Sequence, residues 1–164
     1  MSTDRIEKQV LLRAPLARVW SAISDSKQFG SWFGVAFDGP FVANTHVTGK
    51  IVGTSVDPEV AKLQQPHTGK RFEFWVESIE PLHRLSMRWH PYAIDPSLDY
   101  TKEPTTLIVF ELQQRPDGTY LTISESGFDQ IPLARRAAAF AANEGGWAHQ
   151  SALLQKYLAL HPHG

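Results

Sequence analysis

Apolar and polar positions alternate along this chain with two periods, and the changes of period divide it into elements. From Ile6 to Arg13 the period is two, with Ile6, Val10 and Leu12 on one face and Glu7, Gln9 and Arg13 on the other, which predicts a strand. Pro15 then opens a helix in which Leu16, Val19, Trp20 and Ile23 share one buried face. Asp25 or Ser26 can cap a second short helix that holds Phe29, Trp32 and Phe33 and stops at Gly34. Asp38-Gly39-Pro40 is a turn, and Thr45 to Thr54 a strand in which Gly49 and Gly53 mark bending. Asp57 to Lys70 reads as a polar connection, and Phe72 to Ile79 as a strand.

The clearest alternation runs from Arg84 to His90. Leu85, Met87 and Trp89 face one way and Arg84, Ser86, Arg88 and His90 the other, as in a sheet with one covered and one wet face. Pro91 to Thr105 is a long proline-bearing connection. Leu107 to Leu112, the turn Arg115-Pro116-Asp117-Gly118 and Leu121 to Ser126 predict a hairpin. If Leu112 lies opposite Ile123, then Phe110, Ile123 and Glu125 share the inward face, and a one-residue shift turns Glu125 to solvent.

The final stretch changes to helical period. Asp129 is the expected N-cap, with Pro132 in the first turn, where a missing N–H is harmless. A helix running to Leu160 has roughly 30 residues and is about 45 Å long. Its first half is small-sided, from Ala134 to Ala142, and its second half is bulky, with Trp147, Leu153, Leu154, Tyr157 and Leu158. Phe140, Trp147 and Leu154 recur every seven residues and so share a face. Gly145-Gly146 separates the halves, and each glycine costs about 1 kcal/mol relative to alanine in a helix interior. Either the helix kinks there or other atoms approach its backbone. Close approach is the expectation, with the alanine-rich half roofing a cavity and Gly146→Leu destabilising by more than about 1 kcal/mol.

Composition narrows the function classes. With 164 residues, 42% hydrophobic and 20% charged, the chain suits one domain over residues 1–164 with a real core. A net charge of −1 provides no basic footprint for nucleic acid. There is no 18-residue apolar run and no leader pattern, so no membrane span is expected. Cysteine is absent, which excludes disulfides and thiolate chemistry and suits a cytoplasmic protein. Seven histidines are scattered without HExxH or paired spacing, and neither a phosphate loop nor a nucleophile elbow is present. No metal and no other cofactor is expected.

Taken together, the order of elements and the stretches Val10 to Trp20 (VLLRAPLARVW), Ser31 to Gly34 (SWFG), Thr105 to Leu112 (TTLIVFEL), Leu121 to Phe128 (LTISESGF) and Gly145 to Leu158 (GGWAHQSALLQKYL) resemble the SRPBCC superfamily. Its helix-grip fold is shared with START lipid-binding domains and the birch pollen allergen. Within it the chain resembles homologues of the ninety-kilodalton heat-shock chaperone ATPase activator, in their C-terminal-type domain. The resemblance implies an α+β plan: a curved antiparallel sheet of about six strands around a long C-terminal helix, with two short helices after the first strand. It implies a hydrophobic cavity between sheet and helix and carries over no catalytic motif. The chain departs from the family pattern at Ala43-Asn44-Thr45, where many relatives have a glycine-rich turn, and in the length of the Pro91 to Pro104 connection; both are expected at the cavity mouth.

The candidate ligand-binding residues are Trp32, Phe33, Phe74, Met87, Trp89, Phe110, Ile123, Glu125, Phe140 and Trp147. The same side chains also suit a filled core, and the plain reading of the cluster from Phe29 to Gly34 is a plug on that core, its functional reading one wall of a pocket. If buried, Glu125 has a raised pKa and can meet a ligand or act as acid or base. The leading expectation is a domain that binds a hydrophobic small molecule, aromatic or lipid-like. One alternative is an enzyme of cyclase or hydrolase type, which needs Glu125 to converge with a group such as Tyr120, His90 or Arg88. Another is a module stimulating a chaperone ATPase, which the lone domain disfavours. Homodimerisation through a strand edge or the long helix stays open.

Overall fold

A computed structural model describes residues 5–91 and 99–162. Its elements are β1 (Arg5–Leu12), α1 (Leu16–Ser24), α2 (Ser26–Phe33), β2 (Val35–Phe37), β3 (Thr45–Ile51), α3 (Pro58–Gln64), β4 (Arg71–Glu80), β5 (Arg84–Trp89), β6 (Thr106–Arg115), β7 (Gly118–Ser126) and α4 (Leu133–Leu160). The strands form one seven-stranded antiparallel sheet in the order β1-β7-β6-β5-β4-β3-β2, with α4 across its inner face, as the helix-grip plan requires. The centre of the Pro91 to Thr105 connection, including Pro96, lies outside the described residues, as does His163.

Period-two patterning sets the inner face. Val76 pairs with Met87, Met87 with Ile108, and Ile108 with Glu125, while Leu85 pairs with Phe110 and Phe110 with Ile123. All but Glu125 are apolar, and all are buried. Phe74 is fully buried on this face, whereas Trp75 points outward and stacks on His46 with ring centroids 4.8 Å apart.

Several expectations are corrected. The sheet has a further strand, β2, which at three residues is too short to show a period. The polar connection contains α3, whose Asp57 side chain accepts from the N–H groups of Glu59 and Val60. Asp57-Pro58 is thus a cap followed by a proline in the first turn. Asp129 does not cap α4, for it sits in the short 3-10 turn Phe128–Gln130. Pro132 forces Ile131 into extended backbone, so the helix begins only at Leu133. The hairpin pairs Leu112 with Leu121 rather than Ile123. That shift of two residues preserves parity, so Glu125 still faces inward.

α4 runs unbroken for 28 residues through Gly145 and Gly146. No atom outside the helix lies within 4 Å of where a Cβ would stand at either glycine, so the expected close approach is absent and the basis for a destabilising Gly146→Leu disappears. Close approach occurs instead at Gly30, where an added Cβ would lie 2.0 Å from the Val35 carbonyl oxygen. The helix is tied down at both ends. Arg135 pairs with Glu103 at 2.6 Å, donates to the Pro91 carbonyl and lies over the Tyr100 ring, while Arg18 donates to the His161 carbonyl at 2.8 Å.

Candidate functional site

β5, β6 and β7 lie side by side, and their inward positions converge on one carboxylate. Trp89 pairs with Thr106, and Glu125 stands beside them opposite Ile108. From above, α4 contributes Asn143 and Trp147, which are four residues apart and so on one helix face. Glu125 is fully buried. Its Oε2 accepts from Trp89 Nε1 at 2.7 Å and Thr106 Oγ1 at 2.6 Å, and its Oε1 accepts from Trp147 Nε1 at 2.8 Å. Asn143 Nδ2 bridges both oxygens at 3.0 Å.

Burial pushes the Glu125 carboxyl above its ordinary pKa, and donation from Thr106, Trp89, Trp147 and Asn143 pulls the other way. Two indole N–H groups, which can only donate, sit on opposite oxygens, an arrangement complementary to the carboxylate form. None of the ion pairs among the described residues includes Glu125. In its ionised form Glu125 is a buried charge held by neutral donors alone.

Beside it lies a recess of about 70 Å³ lined by Phe33, Trp89, Asn143, Gly146, Trp147 and Gln150. Its aromatic walls come from α2, β5 and α4, with Trp89 and Trp147 centroids 5.7 Å apart and Phe33 6.3 Å from Trp147. Gly146, lacking a side chain, leaves the space open on the helix side. Gln150 is one of the lining residues, and its Oε1 is buried without a hydrogen-bond partner among the described residues. Clefts that enclose a drug-sized molecule hold about 300 Å³ or more, so this recess admits only one end of such a molecule.

Of the ten side chains expected to meet a ligand, Phe33, Trp89 and Trp147 line the recess, and Glu125 lies directly behind it. Phe74 stacks on Trp89 at 5.5 Å and Phe110 meets Trp147 edge-on at 5.8 Å, so both support the walls. Met87 and Ile123 are buried in the layer below. Trp32 is fully buried with its indole on the Ala22 carbonyl, and Phe140 packs on Phe128 at 5.3 Å. The helical lining starts at Asn143, past the alanine-rich half that was expected to form the roof. Thr106, Asn143, Gly146 and Gln150 were missed. For Asn143 a signal was present, a polar residue on the helix face that carries Phe140 and Trp147.

The groups that an enzyme would need beside Glu125 point elsewhere, Arg88 and His90 as their alternation with Trp89 implies. Tyr120 donates to Gln9, Arg88 pairs with Glu77, and His90 meets the edge of Trp75 on the outer side of the sheet. Asn44 and Thr45 line an open outer groove of about 410 Å³ with Trp75 and Arg88 rather than the recess mouth. Among the described residues no cluster of His, Asp or Glu is arranged to hold a metal ion, and no helix is long and apolar enough to cross a membrane.

Solved structures share this fold. Protein MLL2253 from Mesorhizobium loti aligns with a TM-score of 0.68 at 19% identity, over 94% of this chain and 96% of its own. A protein from Arthrobacter aurescens aligns at 0.71 and 16% identity, over 96% and 87%. Protein NE0264 from Nitrosomonas europaea aligns at 0.64 and 16% identity, over 99% and 98%. None of the curated proteins matches the sequence. The family profile described as activator of Hsp90 ATPase homolog 1-like protein matches residues 13–159, nearly the whole chain, and this protein belongs to that family.

Proposed function

We propose that this chain is a small-molecule-binding domain that takes one end of a largely apolar ligand into the recess between Phe33, Trp89 and Trp147. The observation that carries this reading is the open space lined by three touching aromatic side chains from three elements, two of which donate to a buried carboxyl behind them. Two things support it physically. A buried charge costs more than an apolar residue of similar volume, so a position evolved for packing alone favours leucine over Glu125. Perturbed carboxyls beside a recess also mark functional sites more often than ordinary core positions. Affinity comes from apolar area removed from water, at about 25 cal/mol per Å².

Acid–base turnover draws less support. The oxygens of Glu125 already accept from four side chains, and Tyr120, Arg88 and His90 have other partners. Stimulation of a chaperone ATPase, which the family description names, requires nothing of the recess. Native mass spectrometry of protein purified from its own host tests the binding reading. The expected result is a retained molecule of discrete mass, lost from a folded Gly146→Leu variant whose added side chain occupies the recess. An unliganded wild-type protein whose tryptophan signals ignore added n-hexanol and n-hexylammonium would overturn it.

A further inference from the structure

The recess carries more chemical information than its apolar walls. Resting on the binding reading above, we propose that its ligand end is cationic: a protonated primary or secondary amine, seated against Trp89, Trp147 and Phe33. The ionised Glu125 is its counter-charge, and Gln150 Oε1 accepts one of its N–H groups.

Three observations converge on this class. The first is charge. Glu125 is buried, and its hydrogen-bond partners Trp89, Thr106, Asn143 and Trp147 are all neutral. They stabilise the carboxylate without neutralising it, so its field extends into the recess one side chain away. An anionic ligand end is repelled there. A neutral one leaves the charge uncompensated.

The second is the walls. Each indole has a single polar atom, and in both Trp89 and Trp147 it is committed to Glu125. Both rings therefore offer the recess carbon surface alone. Their π-systems attract cations, and donation to a carboxylate enriches those systems in electron density. The third is Gln150, a lining residue of the recess whose side-chain Oε1 is buried with no partner among the described residues. An ammonium supplies the donor that this acceptor lacks, whereas a hydrocarbon or ether end does not. The volume of about 70 Å³ suits a head group of a few atoms, with the rest of the molecule outside.

The test compares n-hexylammonium with n-hexanol and n-hexanoate, three ends on one chain length, on the full wild-type protein at neutral pH. Binding is followed by the indole N–H resonances of Trp89 and Trp147. Hexylammonium is expected to shift both and to bind about tenfold or more tightly than hexanol, with hexanoate weakest. Gln150→Leu is expected to remove part of that preference. Glu125→Gln, if it folds, is expected to abolish it, and a preference unchanged in folded Glu125→Gln would overturn the counter-charge role. Equal or tighter binding of hexanol would overturn the cation assignment and leave the small-molecule site standing. If none of the three binds, the cation assignment falls, and the binding reading falls with it when the wild-type protein also carries no retained molecule. Because the ligand comparison uses the wild-type chain, it decides the matter even if Glu125→Gln does not fold.

Discussion

Two aromatic clusters stand on the same inner sheet face and share Phe33, yet they are built for opposite ends. Around Phe29, the rings of Trp32, Phe33, Phe41, Phe74 and Phe110 lie at 4.6 to 5.9 Å, and the backbone of α2 closes onto β2 at Gly30. Around Glu125, Trp89 and Trp147 are no less aromatic, but both aim their N–H groups at a carboxylate, and the glycine beside them opens space. Residue type does not separate the two clusters. What separates them is the group at the centre and the side of the glycine from which the neighbours come. The first cluster maximises contact; the second gives up contact and buries a charge.

The comparison breaks most sharply at Phe29. Truncating it to alanine removes the hub of the closed cluster, and no neighbour can fill the hole without leaving its own strand or helix. Phe29→Ala is expected to destabilise by about 3–5 kcal/mol in chemical denaturation. A loss below about 1 kcal/mol would show that this end is loosely packed after all.

At the other centre the expected loss is smaller, because two effects oppose each other. Glu125→Gln removes the cost of burying a charge but turns an amide NH₂ toward side chains that are themselves donors. At least one indole then loses its acceptor, and an unsatisfied buried donor costs about 1–3 kcal/mol. A net destabilisation of about 1–2 kcal/mol near pH 7 is expected. The sign of its pH dependence follows from the raised carboxyl. The folded state holds the Glu125 proton more tightly than the unfolded chain, whose ordinary value is 4.5. This group's contribution is therefore fully present below that pH and is lost as pH rises through the folded pKa. No titratable side chain hydrogen-bonds to Glu125 from β5, β6, β7 or α4. The stability gap between wild type and Glu125→Gln should accordingly widen on acidification, while the dependence from Asp57 and Asp99, whose pKa values are lowered, cancels in the difference. A gap that narrows toward acid would place the Glu125 pKa below its ordinary value.

Much of this arrangement was legible before the structure. The alternation of Leu85, Met87 and Trp89 separated a covered face from a wet one, whereas Glu125 was left between an inward and a solvent-facing position, because its side depends on a register that the sequence does not fix. Elements that needed more than a period were lost. β2 is too short to show one, and α3 was hidden among polar residues although Asp57-Pro58 announces a helix start. The start of α4 was misplaced because Asp129 looks like a cap, and only the restriction that Pro132 imposes on Ile131 rules it out. Asn143 was overlooked for a different reason. Its meaning depends on a carboxylate 18 residues away in sequence, on another element.

The glycine pair shows the limit most clearly, and it provides the subtlest test. A glycine in a helix is the same letter whether a neighbour presses on it, as at Gly30, or nothing does, as at Gly145 and Gly146. With no clash to relieve, both helix glycines only burden α4 with backbone entropy, so Gly145→Ala and Gly146→Ala should each stabilise by up to about 1 kcal/mol. The two differ in what the new methyl meets. Gly145 is exposed, whereas Gly146 lines the recess beside Trp147. Thermal unfolding should therefore rank the two variants alike. Hexylammonium titration should not, because Gly146→Ala narrows the recess and weakens binding several-fold while Gly145→Ala leaves it unchanged. Equal binding by both variants would put the ligand outside the recess. Loss of stability in either would restore a close approach to the helix, and with it the view that this glycine pair is there for packing.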